Sequence, residues 1–321
     1  MSKEKDIKEI EIEQEDNIEE KQEKEYDFSI RNEIFDCFRE LKDNEAELKN
    51  HIIQYIHNLF AKNSLAEKYK LLFLYDESSS ISKSHSNKIY ETLEEDTQDK
   101  DILLIIHSGG GEIEPAYLLS KSCKKLCKSK FIVAIPRKAK SAATLISLGA
   151  DEIHMGLMSE LGPIDPQIGN FPALSISNAL EKIAQLSEEF PKSSNMFAQY
   201  LTENLNLNHL GYFERINESA TQYAERLLKG KSFVKGQDEE KLADHFTNHY
   251  KDHSFVIDAD EALTLLGDEV IKEQTNEYKF SNEVYKVLDL FSVLFRIIEK
   301  KDLSVIGNIE DGIKFKDSDD N

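Results

Sequence analysis

Between residues 101 and 155 three short apolar runs, DILLIIHS (101–108), FIVAIP (131–136) and DEIHM (151–155), are separated by segments with helical periodicity, from about Glu114 to Lys128 and across 142–149. A fourth run, KLLFLYDE (70–77), comes before them and is followed by a helix-compatible stretch over 85–95. Unbroken apolar strands alternating with helices belong to a parallel sheet covered on both faces, because a strand wet on one side would alternate polar with apolar residues. The chain is therefore expected to be α/β with a mostly parallel sheet. Residues 28–62 place Ile34, Phe35, Phe38, Leu41, Leu48, Ile52, Ile56, Leu59 and Phe60 at helical spacing, which predicts an amphipathic helix or helical pair ahead of the sheet. Residues 173–300 carry almost no strand signal and read as helices over 173–189, 194–205, 211–229, 237–250, 259–266 and 282–300. The last of these is the most apolar stretch of the chain. Lys286, Asp289 and Arg296 interrupt it, so it reads as a buried or oligomer-facing helix rather than a membrane span.

Charge and cysteine usage narrow the function classes. A formal net charge of -21 over 321 residues argues against nucleic acid, whose phosphates need clustered Lys and Arg, and against an anionic membrane surface. Much of the acidic excess lies in residues 1–27, where Glu and Lys alternate without turn chemistry, the composition of a disordered tail. Three cysteines and no apolar signal segment at the start fit a reducing cytoplasm. Cys123 and Cys127 are four apart, the wrong spacing for a CxxC redox pair, and no zinc set can be assembled.

Function is expected where the loops are elaborate. All six prolines and seven of the thirteen glycines fall between residues 109 and 191. Gly109, Gly110 and Gly111 directly follow a strand, where their backbone can take φ > 0, approach a ligand closely and aim N–H groups at it. Such amides suit an oxyanion of acyl transfer. They would also suit a nucleotide loop, but GxGxxG and GxxxxGK[ST] are both absent. Ser141 follows FIVAIPRKAK and precedes AATLISLGA, a strand-to-helix junction that exposes a nucleophile and lends it the helix dipole, with the Ala142 amide as a further oxyanion donor. The same position would equally make Ser141 a plain helix N-cap.

Taken together, IIHSGGGEIEPAYLLSKSCKKL, KAKSAATLISLGADEIHMGLMSELGPIDPQIG and HSFVIDADEALTLLG resemble the serine dehydrogenase proteinase family, distant relatives of Clp protease and signal peptide peptidase A in the ClpP/crotonase superfamily. The resemblance spans roughly residues 70–270 and is most specific from Lys140 to Gln167. It implies a ClpP/crotonase-like core, serine peptidase activity on peptide or protein substrates, homo-oligomers, and a triad in the chain order Ser, Asp, His. Carried over, Ser141 is the nucleophile, Asp165 and His253 complete the triad, and Gly110, Gly111 and Ala142 form the oxyanion hole. Neither a metal nor an organic cofactor is implied, and no nucleotide motif supports a dehydrogenase activity. The implied divisions are the acidic tail 1–27, a helical segment 28–66, a peptidase domain 67–270, and a C-terminal helix with acidic tail over 271–321.

Alternatives stay open at this level. Asp151 competes with Asp165 as the carboxylate, His245 and His249 with His253 as the base, and Lys192 would make a Ser/Lys dyad. Lys138 and Lys140 flank the nucleophile on its approach loop, where they would bind substrate carboxylates or simply be solvated, and His107 reads as a packed strand-end residue. HSFVID has the pattern of a strand opening from a polar turn. Gly109 stands where Clp-like sequences often carry proline, and Ala143 with Thr144 where relatives have glycine, so the oxyanion hole and the start of the serine helix are expected to be less favourable. Two other functions compete: a crotonase-type acyl-CoA hydratase or hydrolase that would not need Ser141, and a catalytically weak scaffold.

Overall fold

The computed structural model describes residues 24–168, 171–172 and 175–318. Most of the expected disordered tail, residues 1–23, therefore lies outside the described residues. Two helices come first, α1 (Arg31–Leu41) and α2 (Glu45–Lys62), followed by β1 (Tyr69–Asp76), α3 (Lys83–Glu95), β2 (Asp101–Ser108) and α4 (Ile113–Leu126). Next are β3 (Phe131–Ala134), β4 (Lys138–Ala139), α5 (Ala142–Leu148), β5 (Glu152–Met155) and β6 (Glu160–Leu161), then a small hairpin of β7 (Gln167–Ile168) and β8 (Phe171–Pro172). The remainder runs α6 (Ser175–Glu189), α7 (Ser194–Asn204), α8 (Leu207–Leu228), α9 (Glu239–Asp244), α10 (Ala259–Leu266), β9 (Ile271–Glu273), α11 (Asn276–Leu294), β10 (Lys301–Gly307), α12 (Ile309–Gly312) and β11 (Ile313–Asp317).

The main sheet has the order β11-β10-β1-β2-β3-β5-β9, with β4 and β6 branching from the end of β2. Its centre is parallel: β1 and β2 pair from Tyr69 opposite Asp101 through Asp76 opposite Ser108, and β2, β3, β5 and β9 continue in the same sense. Alternation of side chains divides the apolar runs between two cores. Leu72, Leu74, Ile102, Leu104, Ile106, Phe131 and Val133 pack on one face with α3, α4, α5, α8 and α10. Phe73, Tyr75, Leu103, Ile105, Ile132 and Ala134 pack on the other against α1, α2 and α11. Covering both faces is what required unbroken apolar strands.

Two sequence expectations change. Residues 301–317, read as part of a C-terminal helix and acidic tail, form β10 and β11, antiparallel additions to the β1 edge. KDLSVIG mixes charged and polar residues into its apolar run and IKFKD is too charged to announce a strand, while the alternating charges of IKFKD suit an edge. The segment HSFVID is not a strand: Ile257 makes one isolated bridge to Leu161, while Phe255 and Val256 stay exposed. The apolar 282–300 segment is confirmed as helical within α11 and its continuation, burying Val284, Val287, Leu288, Phe291 and Phe295. Among the described residues no helix is long and apolar enough to cross a membrane.

Candidate active site

The strand ends of the parallel sheet converge on one cavity, where loops after the carboxyl ends of such strands ordinarily build sites. β2 ends at Ser108 beside Ala139 of β4, and Ser108 O accepts the Lys140 N–H at 3.1 Å, so the glycine loop and the serine turn start from hydrogen-bonded neighbours. Ser141 takes φ 51° and ψ -117° immediately before α5. A non-glycine residue there is strained, and such strain persists only where surrounding packing enforces it. The Ser141 side chain makes no capping hydrogen bond, so the N-cap reading does not describe its hydroxyl. Every residue of α5 is buried, and Thr144 fastens it: Oγ1 lies 2.7 Å from Ala139 O and 2.8 Å from Gly162 O, and accepts the Gly162 N–H at 3.0 Å. In place of the less favourable helix start expected at Ala143 and Thr144, both side chains are buried and Thr144 is hydrogen-bonded to the chain on either side.

Gly110, at φ 105°, lies against the serine so closely that a Cβ would fall 2.7 Å from Ser141 Cβ and 2.8 Å from Lys140 O. Gly111, at φ 155°, is clamped by Ile81, whose N–H donates to Gly110 O and whose carbonyl accepts the Glu112 N–H, both at 2.8 Å. Gly109 faces open space and keeps no positive φ, so the extra freedom expected there has no structural use. The Gly110 N–H points to Ser108 Oγ at 3.2 Å. Ala142 is the first residue of α5, where backbone N–H groups lack partners within the helix.

Asp165 and His253, distant in sequence, are in direct contact: His253 Nδ1 meets Asp165 Oδ1. Asp165 is 5 % exposed, and its second oxygen accepts the Gln167 Nε2–H at 2.9 Å. The hydrogen bond to Asp165 raises the pKa of His253 above its ordinary value against an opposing effect of burial, with the Asp165 charge adding and Lys140 subtracting. Ser141, Gly109, Gly110, Gly111, Gln167 and His253 line one cavity of about 1060 Å³. Among the described residues no hydrogen bond links Ser141 Oγ to His253.

The competing residues lie elsewhere. Asp151 contacts Lys124 and accepts the Phe131 N–H at 2.8 Å, an inter-strand role. Lys192 is exposed in the Pro191–Ser193 turn and does not line the cavity. His245 and His249 stack with ring centroids 4.2 Å apart around a separate depression, and His245 Nε2 lies 3.1 Å from Tyr250 Oη. Lys140 is committed to Glu160 and Phe255 O, each at 3.0 Å, and Lys138 to Glu77 at 2.9 Å, so neither is left to bind substrate carboxylates. Sequence reading did not single out Gln167 or Glu77. Glu77 accepts from Lys138 and from buried His107 Nε2 at 2.8 Å, joining the ends of β1, β2 and β4, and these bonds, that from His107 first, lower its pKa to about 2. No metal-holding group of three or more His, Cys, Asp or Glu occurs among the described residues.

Fold and site together describe an α/β protein whose mostly parallel sheet brings a strained serine, a glycine loop and a histidine held by an aspartate to one cavity. More particularly, residues 37–191 match the family of ClpP-like SDH-type serine proteinases, a stretch holding Ser141 and Asp165 but not His253. Two uncharacterized proteins of Methanocaldococcus jannaschii are similar: one is 40% identical over 97 residues, 30% of this chain and 34% of its own. The other is 35% identical over 144 residues, 44% of this chain and 45% of its own. The chain thus spans less than half the length of these curated relatives. Among solved structures, two variants of the 1510-N membrane-bound stomatin-specific protease are similar. One, in complex with a substrate peptide, has 15% identity and a TM-score of 0.41, covering 65% of this chain and 77% of its own. The second has 14% identity and a TM-score of 0.40, covering 70% and 84%.

Proposed function

We propose that this chain is a serine peptidase acting through an acyl-enzyme at Ser141, with His253 as general base and Asp165 as its orienting carboxylate. The observation that carries this reading is His253, held from behind by buried Asp165, on the wall of the cavity that strained Ser141 also lines. As Ser141 Oγ bonds to the scissile carbonyl carbon, His253 Nε2 takes its proton and the carbonyl electrons move onto oxygen. The Ala142 amide, with those of Gly110 and Gly111, receives that charge, the oxyanion competing with Ser108 Oγ for the Gly110 N–H. Collapse breaks the C–N bond, His253 returns its proton to the leaving amine, and water repeats the sequence to release the acid. The substrates of this reading are peptide or protein chains, handled without metal or cofactor. Homo-oligomer formation belongs to the same reading, supported by the exposed apolar side chains of Leu157, Met158, Ile297 and Ile298, and is checked by light scattering.

A fluorophosphonate probe tests the chemistry. Labelling of the wild type that is lost in Ser141→Ala and in His253→Ala supports it; a well-folded wild type that takes no label refutes it.

A further inference from the structure

The cavity holding Ser141 is lined by groups of two different kinds. Helix α8 presents Tyr212, Ile216, Ser219 and Tyr223, spaced four, three and four apart on one helix face, while Ala220, Ala224 and Leu228 face the core. Tyr223 is held in place by stacking on Tyr117 of α4, ring centroids 4.5 Å apart, and Tyr212 is 52 % exposed to the cavity and solvent. The start of α4, which α8 meets through that stacked pair, contributes Glu112, Ile113 and Glu114, and Glu77 lines the same cavity. The two kinds of carboxylate differ in availability. Glu77 is already paired with Lys138 and hydrogen-bonded to His107. Glu112 and Glu114 are exposed, and neither forms an ion pair among the described residues. No lysine or arginine is among the described residues that line the cavity.

A carboxylate at a helix start is favoured by the helix dipole, which accounts for Glu112 and Glu114 as local structure. It does not account for a cavity of this size built around a candidate nucleophile with, among the described lining residues, no lysine or arginine and His253 as the one titratable base. A cleft of one sign raises the local concentration of the opposite charge. Resting on the serine-peptidase reading, we propose that the substrates are cationic peptides, in which an apolar or aromatic side chain sits on the Tyr212–Tyr223 face and a neighbouring lysine or arginine meets Glu112 and Glu114. Acidic peptides are repelled by the same pair.

The test uses three fluorogenic peptides that share a Tyr-Leu centre and differ only in Lys, Gln or Glu flanks. They are compared on the full-length wild type and on Glu112→Gln/Glu114→Gln. The readout is the ratio of kcat/KM for the Lys and Glu peptides within each protein, so a change in overall activity cancels. For the wild type the ratio should be roughly tenfold or more at low salt and shrink severalfold in 0.5 M salt, since exposed charges are screened over a few ångströms there. In the double variant it should fall to about 1, with circular dichroism showing the fold intact. A wild-type ratio near 1, or a ratio that survives the double substitution, overturns the cationic-peptide proposal. Labelling of Ser141 by a neutral fluorophosphonate is measured in parallel: labelling with a flat peptide ratio leaves the peptidase reading standing, while no labelling overturns both.

Discussion

Asp165→Asn should disable the site through a proton in the wrong place, and the surrounding contacts show why. In the wild type Asp165 Oδ1 meets His253 Nδ1 and Oδ2 accepts the Gln167 amide at 2.9 Å. A carboxamide has one acceptor oxygen and one NH2 donor. Gln167 donates, so it draws the oxygen to its own side and leaves the NH2 facing His253 Nδ1. Nδ1 must then accept, the ring proton moves to Nε2, and the nitrogen nearest the cavity can no longer take a proton from Ser141. Loss of the correct tautomer in a triad costs about 10⁴-fold, and loss of general-base help about 10²–10⁴-fold, so the expected fall in labelling rate is ~10³-fold or more. The pH profile adds a second readout. Asp165 raises the His253 pKa above the ordinary 6.5, so the imidazole stays protonated to higher pH, and the acid limb of the wild-type profile must lie above that value. In Asp165→Asn the residual rate should rise at a lower pH, because the stabilising carboxylate is gone. Adding Gln167→Leu removes the donor that orients the carboxamide and should recover part of the rate. The second-order rate of fluorophosphonate labelling between pH 5 and 9 measures all three proteins. An Asp165→Asn rate within threefold of wild type, with the acid limb unmoved, would refute the reasoning.

Three further outcomes follow from the site geometry. Ser141→Gly should unfold at a higher temperature than Ser141→Ala, because glycine relieves a backbone strain of about 1–3 kcal/mol at φ 51° that alanine keeps; equal melting temperatures would argue against strain at the turn. Gly110→Ala should abolish labelling while the far-ultraviolet circular dichroism is retained, since its Cβ would meet Ser141 Cβ at 2.7 Å; normal labelling would show that the loop does not need to lie so close. Glu77→Gln should slow labelling roughly tenfold by weakening the charge-assisted ties to His107 and Lys138, and with a pKa of about 2 in the wild type the ratio of the two rates should be flat from pH 5 to 9; a ratio that varies across that range would mean that Glu77 titrates in the site.

How much was legible in the chain depended on how local each signal is. Strands β1, β2 and β3 and the helices between them could be read because burial on both faces writes itself as consecutive apolar residues, and the limits of α10 and α7 followed from local periodicity. β10 and β11 could not, since KDLSVIG mixes charged and polar residues into its apolar run and the edge strand β11 takes its stability from the neighbour it joins. Gly110 and Ser141 were visible as residue types at telling positions, whereas the near-contact that makes Gly110 obligatory depends on two strand ends meeting.

The sequence by itself determined the α/β class, the place of the loops, and the small set of side chains from which a serine site could be drawn, because each of these rests on neighbours in the chain. The tertiary structure alone decided which members of that set meet. Asp165 touches His253 while Asp151 is spent on Lys124 and a strand amide, Lys138 and Lys140 are consumed by Glu77 and Glu160, and Lys192 stands in solvent. A carboxylate's partner is whichever cation or amide the packing brings within about 3 Å, and no spacing along the chain encodes that distance.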